Sequence, residues 1–394
     1  MSKWEMVRLG DVCEIVSGST PSTSKSELWN GGVKWVTPAE LSDSSYFVHD
    51  TERNISEKAG LRPMPVGTVL LSSRAPIGKV AIAAVPMCCN QGFKNLICSE
   101  LIHNRYLYRW LKNQTVYLND LGRGATFKEI SKSIVEDIGI PLPPIGVQKK
   151  IADILDRATA LIEKRKAQIA KLDLLVKSQF IQMFGDPVTN EQDFPFIPFH
   201  NYMERCVDIG SNGAIQVVVD NLNMKDTEDY ALLVRTMNFT SNDFTDKVKY
   251  ISKESYEFFK KSKVYGGEII FNKIGSAGLN FIMPDLNRPV SLGLNQIMIT
   301  PQNIDTLYLY YFLNTEYGKY QINSRVQGAV TKSIQKTELK KIPIMQPPIE
   351  LQNCFSDFVQ KVEKSKSEMR HRLDKLELLY KSLMQKCFNG DLIL

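Results

Sequence analysis

Two loops that combine glycine with a long cationic side chain could bind phosphate groups. The first, residues 72–79, follows a predicted strand and holds Arg74 and Lys79. The second, residues 272–278, holds Lys273 among glycines. Such loops let backbone amides and a cation approach a phosphate or a base edge. A hairpin with incidental surface charge is the alternative, and the recurrence of the pattern leaves the two interpretations about equally supported.

Two amide pairs, Asn90-Gln91 and Asn295-Gln296, also recur, each near the start of a predicted strand. Asparagine and glutamine side chains can bind adenine in the major groove of DNA. The same side chains stabilise turns by bonding to nearby backbone. The turn interpretation is slightly favoured here.

Cations also cluster where each globule meets a long helix. Phosphate binding and simple solvation of the helix both explain such charges, and both interpretations stay open. The candidate cations are Arg123, Lys128 and Lys132 in the first copy, and Arg325, Lys332 and Lys336 in the second.

Patterns typical of enzymes are incomplete in this sequence. Gly78-Lys79 lacks the upstream glycine and the following hydroxyl residue of a phosphate loop. Segment 338–340 resembles part of a nuclease metal site, but its repeat counterpart, segment 134–136, does not. The paired prolines lack the aromatic partner that holds a flipped base in an adenine methyltransferase. We therefore predict a protein with no catalytic residues, no metal site and no cofactor of its own.

Composition narrows the class of protein further. The chain has 394 residues, 49 Lys plus Arg and 43 Asp plus Glu, for a mild net charge of +6. This length suggests two or three domains, and the charge permits a nucleic-acid partner without requiring one. No apolar run approaches the roughly 20 residues that span a bilayer. The seven cysteines form no CxxC pair, which indicates thiols in a reducing cytoplasm.

An internal repeat organises the chain. Segment 124–132 resembles segment 328–336, and the same offset of 204 residues relates the two Pro-Pro-Ile motifs at 143–145 and 347–349. Proline disfavours helix on its upstream side, so a long helix is predicted after each motif. Apolar residues then alternate in steps of three and four, which is typical of a coiled-coil seam. The predicted seam is Ile151, Ile154, Ala158, Leu161, Ile169, Leu172 and Val176, with Phe355, Phe358, Val362, Met369, Leu373, Leu376, Tyr380 and Leu383.

The stretches before the two long helices are predicted to be α+β globules. Strands are expected at 68–72, 80–85 and 94–98 in the first globule and at 268–272 and 296–300 in the second. Single helices at 106–118 and 307–322 are expected to close the two globules. The two long helices are expected to pack antiparallel on each other.

The order of these features resembles the DNA specificity subunit of type I restriction–modification systems. IPLPPIGVQKKIADIL, FGDP and IPIMQPPIELQ carry the resemblance around the helices, and WVTPAEL, GTVLLSSRAPIG and NQGF are similar to the family's target-recognition domains. The resemblance implies two α+β target-recognition domains separated by an antiparallel two-helix coiled coil, with an internal pseudo-twofold repeat. The implied domains are residues 1–143, a helix at 144–185, residues 186–347 and a helix at 348–394.

The function implied by this resemblance is sequence-specific recognition of a bipartite site in double-stranded DNA. The coiled coil would set the half-site spacing. Two methyltransferase subunits, which bind S-adenosylmethionine, and motor-endonuclease subunits would be the partners, in the cytoplasm and away from any membrane. A stand-alone bivalent DNA-binding scaffold without methyltransferase partners is the alternative, and a diverged modification enzyme is a further one.

Overall fold

The computed structural model describes residues 3–42, 44, 46–124 and 128–392. Residues 125–127 of the repeated segment lie outside the described residues. By backbone contacts the chain divides into two compact units. Unit 1 comprises Met1–Ala167 with Arg370–Leu394, and unit 2 comprises Gln168–Met369. Each unit therefore combines one globule with a part of both long helices.

In the described part of unit 1, ten strands build the globule. They are β1 (Met6–Arg8), β2 (Cys13–Ser17), β3 (Trp29–Val36), β4 (Phe47–Val48), β5 (Arg53–Ile55), β6 (Val69–Ser72), β7 (Val80–Ala83), β8 (Met87–Cys89), β9 (Phe93–Cys98) and β10 (Gly139–Pro141). The sheet orders are β2-β9-β6-β7-β4, β5-β3-β8 and β1-β10. Every residue of β6 and β7 is buried, as expected for apolar runs inside a covered sheet. The strands predicted at 68–72, 80–85 and 94–98 are confirmed as β6, β7 and β9.

The helices of unit 1 pack their apolar sides on the five-stranded sheet and on the long helices. They are α1 (Leu9–Val12), α2 (Asn104–Asn113), α3 (Thr115–Leu121), α4 (Lys132–Asp137) and α5 (Ile145–Phe184), with 3-10 turns at Ser26–Leu28 and Glu57–Ala59. The prediction of a single helix at 106–118 is wrong, because the helix is interrupted at Gln114, between α2 and α3. There Thr115 donates its hydroxyl to the Lys112 carbonyl (3.1 Å), and Asn119 donates its amide to the Thr115 carbonyl (2.8 Å). Such side-chain bonds compete with a continuous helix.

Unit 2 repeats this framework. Its strands are β11 (Phe196–Pro198), β12 (Met203–Asp208), β13 (Ala231–Val234), β14 (Lys249–Ile251), β15 (Lys263–Val264), β16 (Ile269–Asn272), β17 (Asn280–Ile282), β18 (Val290–Leu292), β19 (Gln296–Pro301) and β20 (Pro343–Met345). The orders are β12-β19-β16-β17, β14-β13-β18-β15 and β11-β20. The strands predicted at 268–272 and 296–300 are confirmed as β16 and β19. Strand β19 lies between β12 and β16, as β9 lies between β2 and β6.

The prediction of a single helix at 307–322 is also wrong, because two helices occupy this segment. The helices of unit 2 are α6 (Ile215–Asn221), α7 (Thr236–Ser241), α8 (Lys253–Phe258), α9 (Thr306–Leu313), α10 (Glu316–Asn323), α11 (Lys336–Leu339) and α12 (Ile349–Asn389), with 3-10 turns at Phe199–Tyr202, Ile209–Asn212 and Lys260–Ser262. Thr315 starts α10 as an N-cap whose hydroxyl accepts the Gly318 amide (3.0 Å). Gly318 is needed there, since a Cβ would lie 2.4 Å from the Phe312 carbonyl oxygen.

The long helices α5 and α12 begin and end alike. A buried glutamine in the first turn of each helix bonds to the globule and to a proline carbonyl. Gln148 accepts the His103 amide (2.8 Å) and donates to the Leu101 and Pro143 carbonyls. Gln352 accepts the Asp305 amide (2.9 Å) and donates to Pro347. After the helices, Gly185 (φ 73°) and Gly390 (φ 77°) take the left-handed conformation that commonly ends a helix.

Within each unit the two long helices run antiparallel. In unit 1 the Lys166 ammonium of α5 lies 3.0 Å from the Glu377 carboxylate of α12. In unit 2 the rings of Phe180 and Phe355 are 5.5 Å apart. Residues late in α5 therefore meet residues early in α12, which is the expected direction. The α+β fold class with two paired long helices is confirmed.

The apolar stripe differs from the predicted seam at one turn. Ile151, Val176, Phe355 and Val362 are buried, and the other predicted positions are half-buried, except Leu161, which is 48% exposed. Ile162 takes the buried position instead. Leu155, Ile162, Ile169 and Val176 are spaced by seven residues each, so Ile162 belongs to this heptad and Leu161 does not.

Candidate nucleic-acid interface

Three segments of unit 1 come together beside the ends of β6 and β9. The Ser73 amide donates to the Gly92 carbonyl (2.7 Å), and the Ile130 amide donates to the Ser73 carbonyl (2.9 Å). Arg123 and Glu129 exchange backbone hydrogen bonds of 3.0 and 2.9 Å. These bonds fix the loop after β6, the turn before β9 and a short hairpin as one surface. We call it platform 1, and it comprises residues 73–79, 90–92, 94, 123–124 and 128–130.

One carboxylate binds two cations at platform 1. Arg74 Nε lies 2.9 Å from Glu129 Oε2, and Lys94 Nζ lies 3.1 Å from Glu129 Oε1. The Arg74 side chain is 45% exposed, whereas Lys94 is only 8% exposed. Partial burial opposes ionisation of Glu129, but the hydrogen bonds from both cations outweigh it and hold its pKa below the usual value. The cluster thus has a fixed geometry and a net charge of one positive unit.

The remaining predicted residues of platform 1 divide into internal and exposed groups. Lys79 donates its ammonium to the Pro38 carbonyl (3.1 Å), which holds it against the globule. Asn90 accepts the Gly92 amide (2.9 Å), so its side chain makes the predicted turn. Gln91 is exposed and accepts the Thr20 hydroxyl.

The cations of the junction in unit 1 face solvent. Arg123 and Lys128 are exposed on the hairpin of platform 1. Lys132 stands at the start of α4, where its ammonium lies 3.6 Å from Glu136. The structure thus brings Arg74, Arg123 and Lys128 into one platform and leaves Lys132 beside it.

The same three segments meet in unit 2. The Lys273 amide donates to the Asn295 carbonyl (2.7 Å), and the Ile334 amide donates to the Lys273 carbonyl (2.9 Å). The Gly275 amide donates to the Lys332 carbonyl (2.9 Å). This surface is platform 2, and it comprises residues 208, 273–278, 293–295, 325–334 and 336.

Platform 2 also has two cations on one carboxylate. Lys273 Nζ lies 2.7 Å from Asp208 Oδ2, and Lys336 Nζ lies 2.8 Å from Asp208 Oδ1. The Ser211 hydroxyl donates to Oδ1 as well (2.9 Å). Burial of Asp208 raises the energy of its charged form, but the three hydrogen bonds outweigh this and lower its pKa to about 2.

Gln296 is not available for base recognition, contrary to one of the two predicted roles. It is 2% exposed, and its side-chain oxygen accepts the Gly293 amide (3.1 Å), so it stabilises the turn before β19. The neighbouring Asn295 is exposed. Base contacts from this turn could therefore come from Asn295 but not from Gln296.

Two further predicted cations of unit 2, Arg325 and Lys332, differ in the surroundings of their side chains. Arg325 donates to the carbonyl and the side chain of Gln321 (2.7 and 2.8 Å), which holds it against α10. Lys332 is exposed on the hairpin of platform 2.

Lys94, Glu129 and Asp208 are site residues that the sequence comparison missed. The repeat indicates only positions that match between the two copies, and these three residues have no match. Position 333, which is 204 residues after Glu129, holds a serine. Both units place two cations on one carboxylate, but different strands and loops provide these residues.

No group of three or more histidine, cysteine, aspartate or glutamate side chains that could hold a metal ion occurs among the described residues. In that same part of the chain, no helix is long and apolar enough to cross a membrane.

Comparison with known proteins gives one consistent result. The family model "Type I restriction modification DNA specificity domain" matches residues 1–173 and 212–378. The chain is 29% identical to the MjaIX type I restriction enzyme specificity subunit of Methanocaldococcus jannaschii, over 99% of this chain and 93% of that protein.

Two solved structures share the fold. One, from work on complex assembly and conformational transition of the type I R-M system, has a TM-score of 0.62 and 16% identity, and covers 99% of this chain and 98% of its own. The other, the S subunit of a type I restriction–modification system from M. genitalium, has a TM-score of 0.58 and 14% identity, and covers 98% and 96%. The similarity extends over nearly the whole chain.

Proposed function

Because this chain belongs to the type I restriction–modification DNA specificity family, as a specificity subunit, we propose that it binds a bipartite site in double-stranded DNA. Each unit would bind one half-site through its platform. The observation that carries the proposal is the recurrence of one backbone framework in both units, with a different set of cations and amides on each. Backbone-positioned cations suit phosphate contacts, and exposed amides suit base edges. Two platforms with different side chains would read two different half-sites.

The proposed partners are two methyltransferase subunits, which would bind S-adenosylmethionine and carry out the adenine chemistry, and motor-endonuclease subunits. An internal repeat offers two similar surfaces, so that one chain can bind two copies of one partner. Exposed leucine pairs support this, since Leu174-Leu175 and Leu378-Leu379 occupy equivalent positions 204 residues apart. If the partners supply much of the phosphate contact, the chain alone will bind DNA weakly at physiological salt.

Methylation mapping tests this function. We expect cells that contain this chain with its methyltransferase to modify one bipartite motif, and cells without the chain to lack that modification. Co-purification of a methyltransferase with the chain is the second expected result. A chain that binds DNA tightly and specifically without any methyltransferase would instead be a stand-alone bivalent scaffold.

The paired helices are proposed to set the distance between half-sites. Seven residues inserted after Ala167 and seven after Met369 preserve the heptad pattern and lengthen each helix by about 10 Å. With 3.4 Å per base pair, the preferred spacer should grow by up to about three base pairs. A matched control inserts the same heptad in a surface loop of unit 2. An unchanged spacer in the methylation motif of the helix variant would refute this role of the helices.

A further inference from the structure

Both platforms place two cations on one carboxylate, yet they build this cluster from unrelated positions. In unit 1 the carboxylate is Glu129 on the hairpin, and the cations come from the loop after β6 and from β9. In unit 2 the carboxylate is Asp208 at the end of β12, and the cations come from the loop after β16 and from α11. The charge arrangement recurs although the residues that provide it do not.

We propose that Glu129 and Asp208 are positioning residues for DNA binding: Asp208 holds Lys273 and Lys336, and Glu129 holds the exposed Arg74, as preformed seats for a backbone phosphate. This inference rests on the proposed function of the platforms. Each cluster carries two positive charges and one negative charge, so a net attraction for an anion remains. The carboxylates themselves would not contact DNA.

The side-chain exposures in the cluster of unit 2 support a phosphate contact to the lysines rather than to the carboxylate. The Asp208 side chain is 6% exposed, whereas Lys273 and Lys336 keep about a quarter and a third of their side chains exposed. An anion that approaches from solvent therefore meets the lysines, with the carboxylate behind them. Ser211 fixes the carboxylate in turn, because its hydroxyl donates to Asp208 Oδ1 and accepts from Lys336 Nζ (2.9 Å).

Such a preformed seat lowers the entropy cost of binding a phosphate. A lysine side chain loses much of its rotamer freedom when it is held in one place. A carboxylate that has already ordered two lysines removes much of this cost from the binding step. Platform 1 follows the same principle with Arg74, whose planar guanidinium is held at Nε by Glu129.

Whether DNA affinity falls or rises when the carboxylate is neutralised distinguishes a positioning role from simple electrostatics. Replacing Asp208 with asparagine removes a negative charge beside the DNA, which by charge alone would strengthen binding. A positioning role predicts the opposite, because the two lysines become mobile. We expect D208N to weaken binding of the bipartite site by about tenfold.

The experiment uses the full chain in complex with its methyltransferase subunits and a duplex with the mapped bipartite motif, titrated at several salt concentrations. The variants are D208N, the double lysine variant K273Q/K336Q and the triple combination. Asp226→Asn is the matched control, since Asp226 forms an exposed ion pair with Lys249 in the same unit. E129Q tests platform 1 separately, at a carboxylate that is one-third exposed and less coupled to folding.

The triple variant should bind like the double lysine variant, because Asp208 acts only through the lysines. D226N should bind like the natural protein. Equal or tighter binding by both D208N and E129Q would overturn the inference, and so would an additive loss in the triple variant. Failure of the unaltered complex to bind the motif would instead refute the proposed function.

Discussion

Asp156 on α5 joins the long helix to the globule of unit 1, and its neutralisation should destabilise that unit strongly. The Tyr46 hydroxyl donates its single proton to this carboxylate and lies 3.0 and 2.9 Å from its two oxygens. It also pairs with Arg105 (2.8 Å) and Arg109 (2.6 Å). The Arg109 side chain is 8% exposed and that of Asp156 is 20% exposed, so water screens this network poorly.

The magnitude follows from the charge that the substitution leaves behind. Asp156→Asn keeps the shape of the side chain but leaves the Arg109 guanidinium buried without a counter-charge. Removing one partner of a buried ion pair costs about 3–5 kcal/mol. Because the Thr159 hydroxyl still accepts from Arg109 (2.9 Å), we expect the lower end, about 3 kcal/mol of the free energy of unfolding.

Tryptophan fluorescence during urea unfolding measures this change in unit 1 alone. The four tryptophans of the chain, at positions 4, 29, 35 and 110, all belong to unit 1. The fluorescence transition should therefore move to lower urea in D156N. Far-ultraviolet circular dichroism would follow both units and show that unit 2 keeps its own transition.

Asp153→Asn is the matched control. Asp153 lies one turn earlier on α5 and also pairs with Arg105, but its side chain is 50% exposed. An exposed pair of this kind contributes less than about 1 kcal/mol. Equal losses of stability in D153N and D156N would refute the argument from burial.

The buried glutamines and the acidic cluster of unit 2 give further tests. Gln148→Leu should lower the unfolding free energy of unit 1 by about 3 kcal/mol, because it leaves the His103 amide and two carbonyls unpaired; a loss below about 1 kcal/mol by tryptophan fluorescence would contradict this. Gln352→Leu should destabilise unit 2 by a similar amount, visible by circular dichroism, and leave the fluorescence transition in place. The lowered pKa of Asp208 stabilises unit 2 above the ordinary pKa of 3.8, and this contribution, about 2 kcal/mol, should be lost as the pH falls from about 4 to 2. An acid-unfolding curve that is the same in D208N would refute it.

Features that depend on neighbouring residues could be predicted from the sequence. The starts of α5 and α12 follow from the proline pairs, and the buried strands β6 and β16 follow from short apolar runs. Pairings between distant residues could not be predicted. Asp208 and Lys336 are 128 residues apart, and only the packing of α11 beside the end of β12 brings them together.

The wrong predictions have local causes. The helix breaks at Gln114 and Thr315 depend on side-chain bonds to the backbone that hydrophobic periodicity does not register. Gln296 matched the amide pattern, but its place at the start of β19 turns its side chain into the interior. Ile162 rather than Leu161 is buried because Ile162 lies one heptad after Leu155 and one heptad before Ile169.

The discontinuous make-up of unit 1 has a consequence for biosynthesis. Its core includes Cys387 and Phe388, and its N-terminal Lys3 amide bonds to the Asn389 carbonyl, although more than 200 residues separate the two parts in the chain. At about 5–20 residues per second, the ribosome delivers the closing helix roughly 10–40 seconds after residue 167. Unit 2 is one continuous span, so it can finish folding while unit 1, although it is made first, still waits for its last helix. Premature termination near residue 370 would thus damage the part of the protein that was synthesised earliest.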